Sequence, residues 1–319
     1  MKAAAIQMEP VLGDVAENLR RAELLVDEAA AAGADWIILP EFFSTGMGYA
    51  DRMADAALPA DGPALDLLRR LARRHSATVG GSFICRDADG HNRNAFFLVG
   101  PRGDVLGRHD KDLPTMWENC YYVGGDDDGV IEAGQVTAGA AVCWEFMRTQ
   151  TAHRLRGRVD LIVGGSAWWS IPPWHPQALM RRLEANNART AAGVASAMAR
   201  VVGAPVVHSA HCGPIECGLP LSPVPYRGSF EGGAVICDAR GEVLARRAGH
   251  EGPGVVVAEL EPVRRAPLDA IPDRFWFHDR GALASFMWFY QNRHGSRWYR
   301  RHAMGRPTAQ VGGSRPTVG

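Results

Sequence analysis

The chain has 319 residues, 46% hydrophobic and 22% charged, and its 35 basic and 35 acidic side chains give a formal net charge of zero. This is the composition of a soluble globular protein of one large or two ordinary domains, and it lacks the basic excess expected for nucleic-acid or anionic-membrane partners. Six cysteines without a CxxC pair are too sparse for a disulfide scaffold, so a reducing, cytoplasmic setting is the expectation.

In chain order, Lys2–Met8 is predicted as a first core strand rather than a signal segment. Val15–Ala32 reads as a helix with Leu19, Ala22, Leu25 and Val26 on one face. Trp36–Leu39 is a short buried strand, and Pro63–His75 is a helix that turns Leu65, Leu67, Leu68 and Leu71 inward. Ala77–Cys85 and Asn94–Val99 are strands joined by a hairpin turn at Arg86-Asp-Ala-Asp-Gly90. Val136–Val142, Val159–Val163, Pro205–Ser209, Gly233–Asp238 and Val255–Leu260 are further strands, and Gln177–Arg200 is a long helix. No run reaches the ~18 apolar residues of a membrane span. Alternating helices and strands predict an α/β protein, and the hairpin signals imply mixed strand pairing. No linker divides residues 1–265, which read as one domain. Residues 266–319 form an extension in which Phe275, Trp276, Phe277, Phe286, Trp288, Phe289, Tyr290, Trp298 and Tyr299 lie among arginines. That stretch is too apolar to float free and is expected to pack on the domain or on a neighbouring subunit. Met304–Gly319 is rich in Gly, Pro and Thr and is expected to be mobile.

Three apolar runs end on chemistry. Ala34-Asp-Trp-Ile-Ile-Leu-Pro-Glu41 ends on a carboxylate, Asp104-Val-Leu-Gly-Arg-His-Asp-Lys111 on an amine, and Val136-Thr-Ala-Gly-Ala-Ala-Val-Cys143 on a thiol. Taken singly, each has an ordinary explanation: a structural thiol, a capping acid, a lysine paired with Asp110 or Asp112 on the surface. An acid, a cation and a thiol at three strand ends together suggest a nucleophilic site. His208, His211, Cys212 and Cys217 offer groups that suit zinc but in no familiar zinc spacing, so no metal is expected. Trp144 after Cys143 hints at a papain-like thiol, yet no matching His/Asn context accompanies it. The glycine pairs Gly80-Gly81, Gly124-Gly125 and Gly164-Gly165 form neither GxGxxG nor a P-loop, so no cofactor is expected.

Leu39-Pro-Glu41, His109-Asp-Lys-Asp-Leu-Pro114 and Ala141-Val-Cys-Trp-Glu145 resemble, in order and spacing, the signature segments of the nitrilase superfamily of carbon–nitrogen hydrolases. Ala5-Ile-Gln-Met8 and Asn18-Leu19 are similar to that family's first strand and helix, and the likeness runs from about residue 2 to 260. The resemblance implies a four-layer α-β-β-α sandwich with mixed sheets, a catalytic triad at Glu41, Lys111 and Cys143, a second glutamate at Glu118, and a homodimer or higher homo-oligomer. It also places Ala167 and Trp168 of Gly165-Ser-Ala-Trp168 near the substrate. Phe146-Met-Arg-Thr149 departs from the usual nitrilase continuation and so weighs against a nitrile.

The chemistry accounts for these residue types. A neighbouring ammonium favours the thiolate, and Glu41 accepts the thiol proton. Lys111 and the Trp144 backbone N–H stabilise the charge that develops on attack, and Glu41 then protonates ammonia and activates water. Glu118 holds Glu41 or the lysine, or orients the water. Phe42, Phe43, Met47, Trp117, Tyr122, Trp144, Trp168 and Trp169 follow strand ends and are expected at the pocket mouth, with Phe42, Trp117, Ala167 and Trp168 assigned to substrate binding. Arg148 either binds a substrate carboxylate or pairs on the surface. The expected partner is a small-molecule amide, cleaved to carboxylate and ammonia through a Cys143 thioester. A nitrile, an N-carbamoyl compound or acyl transfer in solution are the enzymatic alternatives. A catalytically silent interaction protein on the same scaffold is the non-enzymatic one.

Overall fold

The computed structural model describes residues 1–278 and 281–309. The elements follow as β1 (Lys2–Met8), α1 (Val15–Ala31), β2 (Trp36–Ile38), α2 (Asp51–Ala54), β3 (Leu58–Pro59), α3 (Pro63–His75), β4 (Thr78–Arg86), β5 (Asn92–Val99) and β6 (Val105–Asp110). A short 3-10 turn at Met116–Cys120 leads to β7 (Val130–Ala133) and β8 (Val136–Val142), and a second, Cys143–Met147, leads to α4 (Thr149–Leu155). Then come β9 (Leu161–Ser166), α5 (Gln177–Val202), β10 (Val206–Leu219), β11 (Ser222–Cys237), β12 (Val243–Ala248), β13 (Gly254–Glu259) and α6 (Gly281–His302). The mixed α/β class is as expected.

Strand alternation sorts the core. Ala4, Ile6, Ile37, Leu39 and Val79 point to one side, where Val15, Ala22 and Val26 of α1 and Leu65, Leu68 and Leu71 of α3 cover them. Ala3, Ala5, Ile38, Phe96 and Leu98 point to the other side and share a core with Ala140 and Val142 of β8, Val163 of β9, and Val194 and Met198 of α5. Hydrogen bonding nevertheless joins the strands into one sheet, in the order β6-β5-β4-β2-β1-β10-β9-β8-β7. The junction is a short parallel pairing of β1 with β10, at Gln7 with Ala210 and Met8 with His211.

Local signals explain the helices that the sequence predicts. Asp14 caps α1 by accepting from the Glu17 N–H at 3.1 Å, and Pro63 opens α3 where no intrahelical N–H partner is needed. The largest departure is the β10–β11 hairpin, whose strands run far beyond Pro205–Ser209 and Gly233–Asp238. Its outer half alternates buried and exposed positions and carries Pro214, Pro223 and Pro225, so no apolar run marks it.

The extension packs on the same chain. The Asn92 N–H donates to the Tyr299 hydroxyl at 2.9 Å, Trp298 meets the Tyr121 ring edge-on at 5.5 Å, and the Ala309 N–H donates to the Ala57 carbonyl at 2.8 Å. The mobility expected of Met304–Gly319 falls mostly on residues outside the described ones.

Two of the glycine pairs mark close approaches of backbone. A Cβ on Gly165 would lie 2.8 Å from the Ser209 carbonyl oxygen and 2.9 Å from the Pro40 Cα, so β9 touches the strand end that bears Glu41. A Cβ on Gly125 would lie 2.5 Å from the Asp110 carbonyl oxygen, at the strand end that bears Lys111. Gly165→Ala is therefore expected to cost about 1–3 kcal/mol through forced backbone shifts. Exposed Gly193 in the interior of α5 has nothing within 4 Å of its would-be Cβ. Gly193→Ala should be neutral or stabilise by about 0.5–1 kcal/mol. Denaturant melts of the two variants check the contrast.

Candidate active site

Glu41, Lys111 and Cys143 follow the ends of β2, β6 and β8, which the fold brings together in the interior. The Lys111 ammonium is fully buried and donates to Glu41 Oε1 at 2.9 Å and to Glu118 Oε2 at 2.6 Å. Ligand atoms of Glu41, Glu118 and Cys143 all lie within 4.8 Å of one another. The four side chains singled out from the sequence as catalytic therefore converge.

Each carboxylate is held by further donors. Glu41 accepts from Asn94 Nδ2 at 2.8 Å and from the Ala167 N–H at 3.0 Å. Glu118 Oε2 accepts from the Thr115 N–H at 2.9 Å and from the Tyr122 hydroxyl, while its Oε1 is buried without a partner. Asn94 and Tyr122 carry no motif in the sequence. Pairing of β5 with β6 sets Ala95 opposite Asp110, and this register puts Asn94 beside Lys111.

The electrostatics follow from burial and a shortage of positive charge. Burial raises Glu41, Lys111 pulls it down and Glu118 raises it again, with the balance at about 7. Burial opposes the charge on Lys111, but Glu118, Glu41 and Cys143 outweigh it and hold its pKa above the ordinary lysine value. Burial and then Glu41 raise the Cys143 thiol well above its ordinary value, against the pull of Lys111. Lys111 thus pulls toward the thiolate, as expected, while burial and Glu41 oppose it. The Cys143 sulfur and a Glu41 carboxylate oxygen lie within 4.8 Å of each other, so the carboxylate stands near enough to serve as the base for attack.

A second buried network fixes the Lys111 segment to the nucleophile turn. Glu145 Oε2 accepts from the Val142 N–H at 2.7 Å, and Glu145 Oε1 from the Asp112 N–H at 3.1 Å. His109 Nε2 meets Glu145 at 2.9 Å and its Nδ1 meets Asp127 at 2.6 Å. Burial works against charge on His109, but Glu145 and Asp127 outweigh it and lift it to about 9. Arg148 is not on the surface, against one of its two expected roles. It is buried, paired with Asp112, donates to the Leu113 carbonyl at 3.0 Å, and lies over the rings of Trp276 and Trp288 at 5.8 and 5.7 Å.

The expected pocket residues divide. Phe42 is fully buried against Tyr122, with ring centroids 5.9 Å apart. Trp117 packs on Trp169 at 4.4 Å and its indole N–H is buried without a partner. Trp168 faces Trp144 at 6.0 Å and donates its indole N–H to Asn187 at 2.9 Å. Ala167 serves first through its backbone, as a Glu41 donor. Phe43 lies in the outer core with Phe83, behind the strand end.

The histidines whose groups would suit zinc bond within the protein. His211 faces the Glu41 carbonyl at 2.7 Å and the Met8 carbonyl at 3.1 Å, and His208 faces Ser166 at 2.7 Å. Burial lowers both imidazoles to about 4. Among the described residues the donors that converge are Glu41, Glu118 and Cys143, and there the Lys111 ammonium already bridges the two carboxylates.

A family model described as carbon-nitrogen hydrolase matches residues 2–268. A bifunctional nitrilase/nitrile hydratase from Lupinus angustifolius is 30% identical over 165 residues, 46% of this chain and 47% of that protein. The chain thus spans about half the length of that relative. A nitrilase from Pyrococcus abyssi is 26% identical over 194 residues, 60% of this chain and 73% of that protein. Among solved structures, a mutant of the amidase from Nesterenkonia sp. AN1 with acrylamide added at its active-site cysteine has a TM-score of 0.63 at 20% identity, covering 86% of this chain and 96% of that one. A carbon-nitrogen hydrolase from Helicobacter pylori G27 gives 0.65 at 17% identity, over 82% and 89%. At these identities the two structures speak for the shared fold, and the family rests on the model match across most of the chain. The chain belongs to the carbon–nitrogen hydrolase family, within the nitrilase superfamily.

Proposed function

We propose that the chain hydrolyses a small-molecule carboxamide to a carboxylate and ammonia through a thioester on Cys143. The observation that carries this reading is the buried Lys111 ammonium shared by Glu41 and Glu118 beside the Cys143 thiol. A thiol whose pKa burial pushes up, next to a carboxylate poised near neutrality, is an arrangement for proton transfer concerted with attack.

Glu41 takes the thiol proton as Cys143 Sγ bonds to the carbonyl carbon. The negative charge that forms on the oxygen is met by Lys111 and by the Trp144 backbone N–H. Donors of this kind typically contribute about 3–4 kcal/mol each. Glu41 returns its proton to the nitrogen, the C–N bond breaks, and ammonia departs from the thioester. Glu41 then accepts a proton from water as the water oxygen attacks the thioester carbon, and it reprotonates the departing sulfur. The net change is amide plus water to carboxylate plus ammonium. Glu118 anchors Lys111 and orients the water. Phe42, Trp117 and Trp168 surround the acyl group.

A second reading, a nitrile substrate, draws on the two curated relatives named as nitrilases. It uses the same thiol and base, with nitrogen in place of oxygen carrying the first developing charge. An N-carbamoyl substrate and acyl transfer to an amine need only a different acyl group or acceptor. We also propose a homo-oligomer, because Phe286 and Phe289 of α6 are 63% and 66% exposed.

Ammonia release from a panel of amides and nitriles tests the reaction and separates the two substrates. Cys143→Ala is expected to lose at least about 10³-fold in kcat/KM, and Glu41→Gln about 10²–10⁴-fold. Intact-mass spectra of quenched wild-type reactions should show the acyl group on Cys143. Absence of turnover and of adduct across the panel would sink the hydrolase reading. Because Glu41 must be ionised to act as base and its pKa lies at about 7, kcat/KM should fall about tenfold per pH unit below that value. An acid limb centred near the ordinary carboxylate value instead would remove Glu41 as the base. Light scattering that gives a monomer mass at micromolar concentration would contradict self-association.

A further inference from the structure

The extension beyond residue 268 lies outside the family match, yet it reaches the nucleophile. Trp288 of α6 stacks on Trp144, the residue after Cys143, with centroids 5.4 Å apart and planes 12° from parallel. Seven residues on, Gly295 sits against the turn that bears Glu118: a Cβ there would come 2.5 Å from the Asn119 Cβ and 3.1 Å from the Cys120 nitrogen. Residues three and four apart share one face of a helix, so Trp288, Gln291 and Gly295 form one stripe. That stripe runs from the Cys143 turn to the Glu118 turn, with Gln291 between its two contacts.

Gln291 is 3% exposed, and its amide oxygen is buried with no hydrogen-bond partner. Buried polar groups are nearly always paired, so an orphaned acceptor calls for an explanation. The Trp117 indole N–H, on the turn that Gly295 touches, is buried and unpartnered in the same way. Gln291 Oε1 and His294 Nε2 of α6, and Trp117 Nε1 and Glu118 Oε1 of the turn, are all buried without a partner, on elements that pack against each other beside the Cys143 turn.

Resting on the hydrolase reading, we propose that Gln291 contacts the substrate: its amide oxygen accepts a hydrogen bond from a hydroxyl or amine N–H on the acyl group, remote from the scissile bond. The preferred substrates are then acyl amides that carry such a donor rather than plain alkyl or aryl amides. A site built around a hydrogen bond discriminates against the analogue that lacks the group, because the protein atom is left unpaired.

The test compares kcat/KM for an amide with a distal hydroxyl and for its deoxy analogue, in the full-length chain. The wild type is expected to favour the hydroxylated amide by about tenfold or more. Gln291→Met should bring that ratio close to one, whereas Gln291→Glu, which keeps an acceptor oxygen, should retain the preference. Thermal melts report folding, and Gln291→Leu is the second variant if the methionine variant does not fold. A wild type without the preference, or a Gln291→Met enzyme that keeps it, overturns this assignment while leaving the hydrolase reading intact. A wild type that turns over neither amides nor nitriles defeats the hydrolase reading, and this assignment with it.

Discussion

One ammonium serving two carboxylates, all out of contact with water, is the interaction on which the site depends. Burying an ion costs several kcal/mol unless charge and hydrogen bonds compensate it. Lys111 is compensated, because both of its acidic neighbours lie within 2.9 Å. Together the carboxylates present two negative groups to one cation. Burial raises Glu41, Lys111 pulls it down and Glu118 raises it again, and its pKa comes to about 7. A second buried cation beside Glu41 would lower that pKa again.

Such a cluster works only if its parts cannot drift. Glu145 supplies the constraint by accepting the Val142 N–H, which precedes the nucleophile, and the Asp112 N–H, which follows the lysine. One carboxylate therefore measures the distance between the two strand ends. His109 and Arg154 balance its charge, and Arg148 grips Asp112 from the other side while Trp276 and Trp288 cover its guanidinium. Charge deep in the fold thus connects the nucleophile turn, the lysine segment and the C-terminal extension.

Much of this was legible in the chain, for a physical reason. Glu41, Lys111 and Cys143 each terminate an apolar run, so pattern and chemistry coincide at one position. Glu118 follows no such run and was found only through the resemblance of its segment. Asn94 was missed, and Tyr122 and Ala167 were expected only at the pocket mouth and beside the substrate, because their roles as carboxylate donors come from register and chain crossing. Asn94 looks like any strand asparagine until β5 is set against β6. Glu145 was visible as part of Cys-Trp-Glu, yet whether it lay on the surface or inside depended on His109 and Asp127 arriving from elsewhere. The extension was readable as a packed aromatic segment, but which of its residues face Cys143 is a matter of helix phase, and the mixed composition of α6 does not reveal it.

Backbone strain gives an independent mark of the same place. Five non-glycine residues among those described have positive φ, and three of them are Phe42 at 52°, Met116 at 53° and Cys143 at 54°. Phe42 follows Glu41, Met116 lies two residues before Glu118, and Cys143 bears the thiol of the candidate site. Each such conformation costs roughly 1–2 kcal/mol in an L-residue. A strand end is where that cost can be borne, since the ladder stops there and local hydrogen bonds take over. The Phe42 N–H finds Ser82 Oγ at 3.3 Å, and the Thr115 N–H finds Glu118. The left-handed step turns the chain sharply, so that it leaves the sheet while the side chain stays at its rim. Acid and thiol stand at the ends of strands, rather than within them, because only there can the backbone bend enough to present both to one reacting carbon.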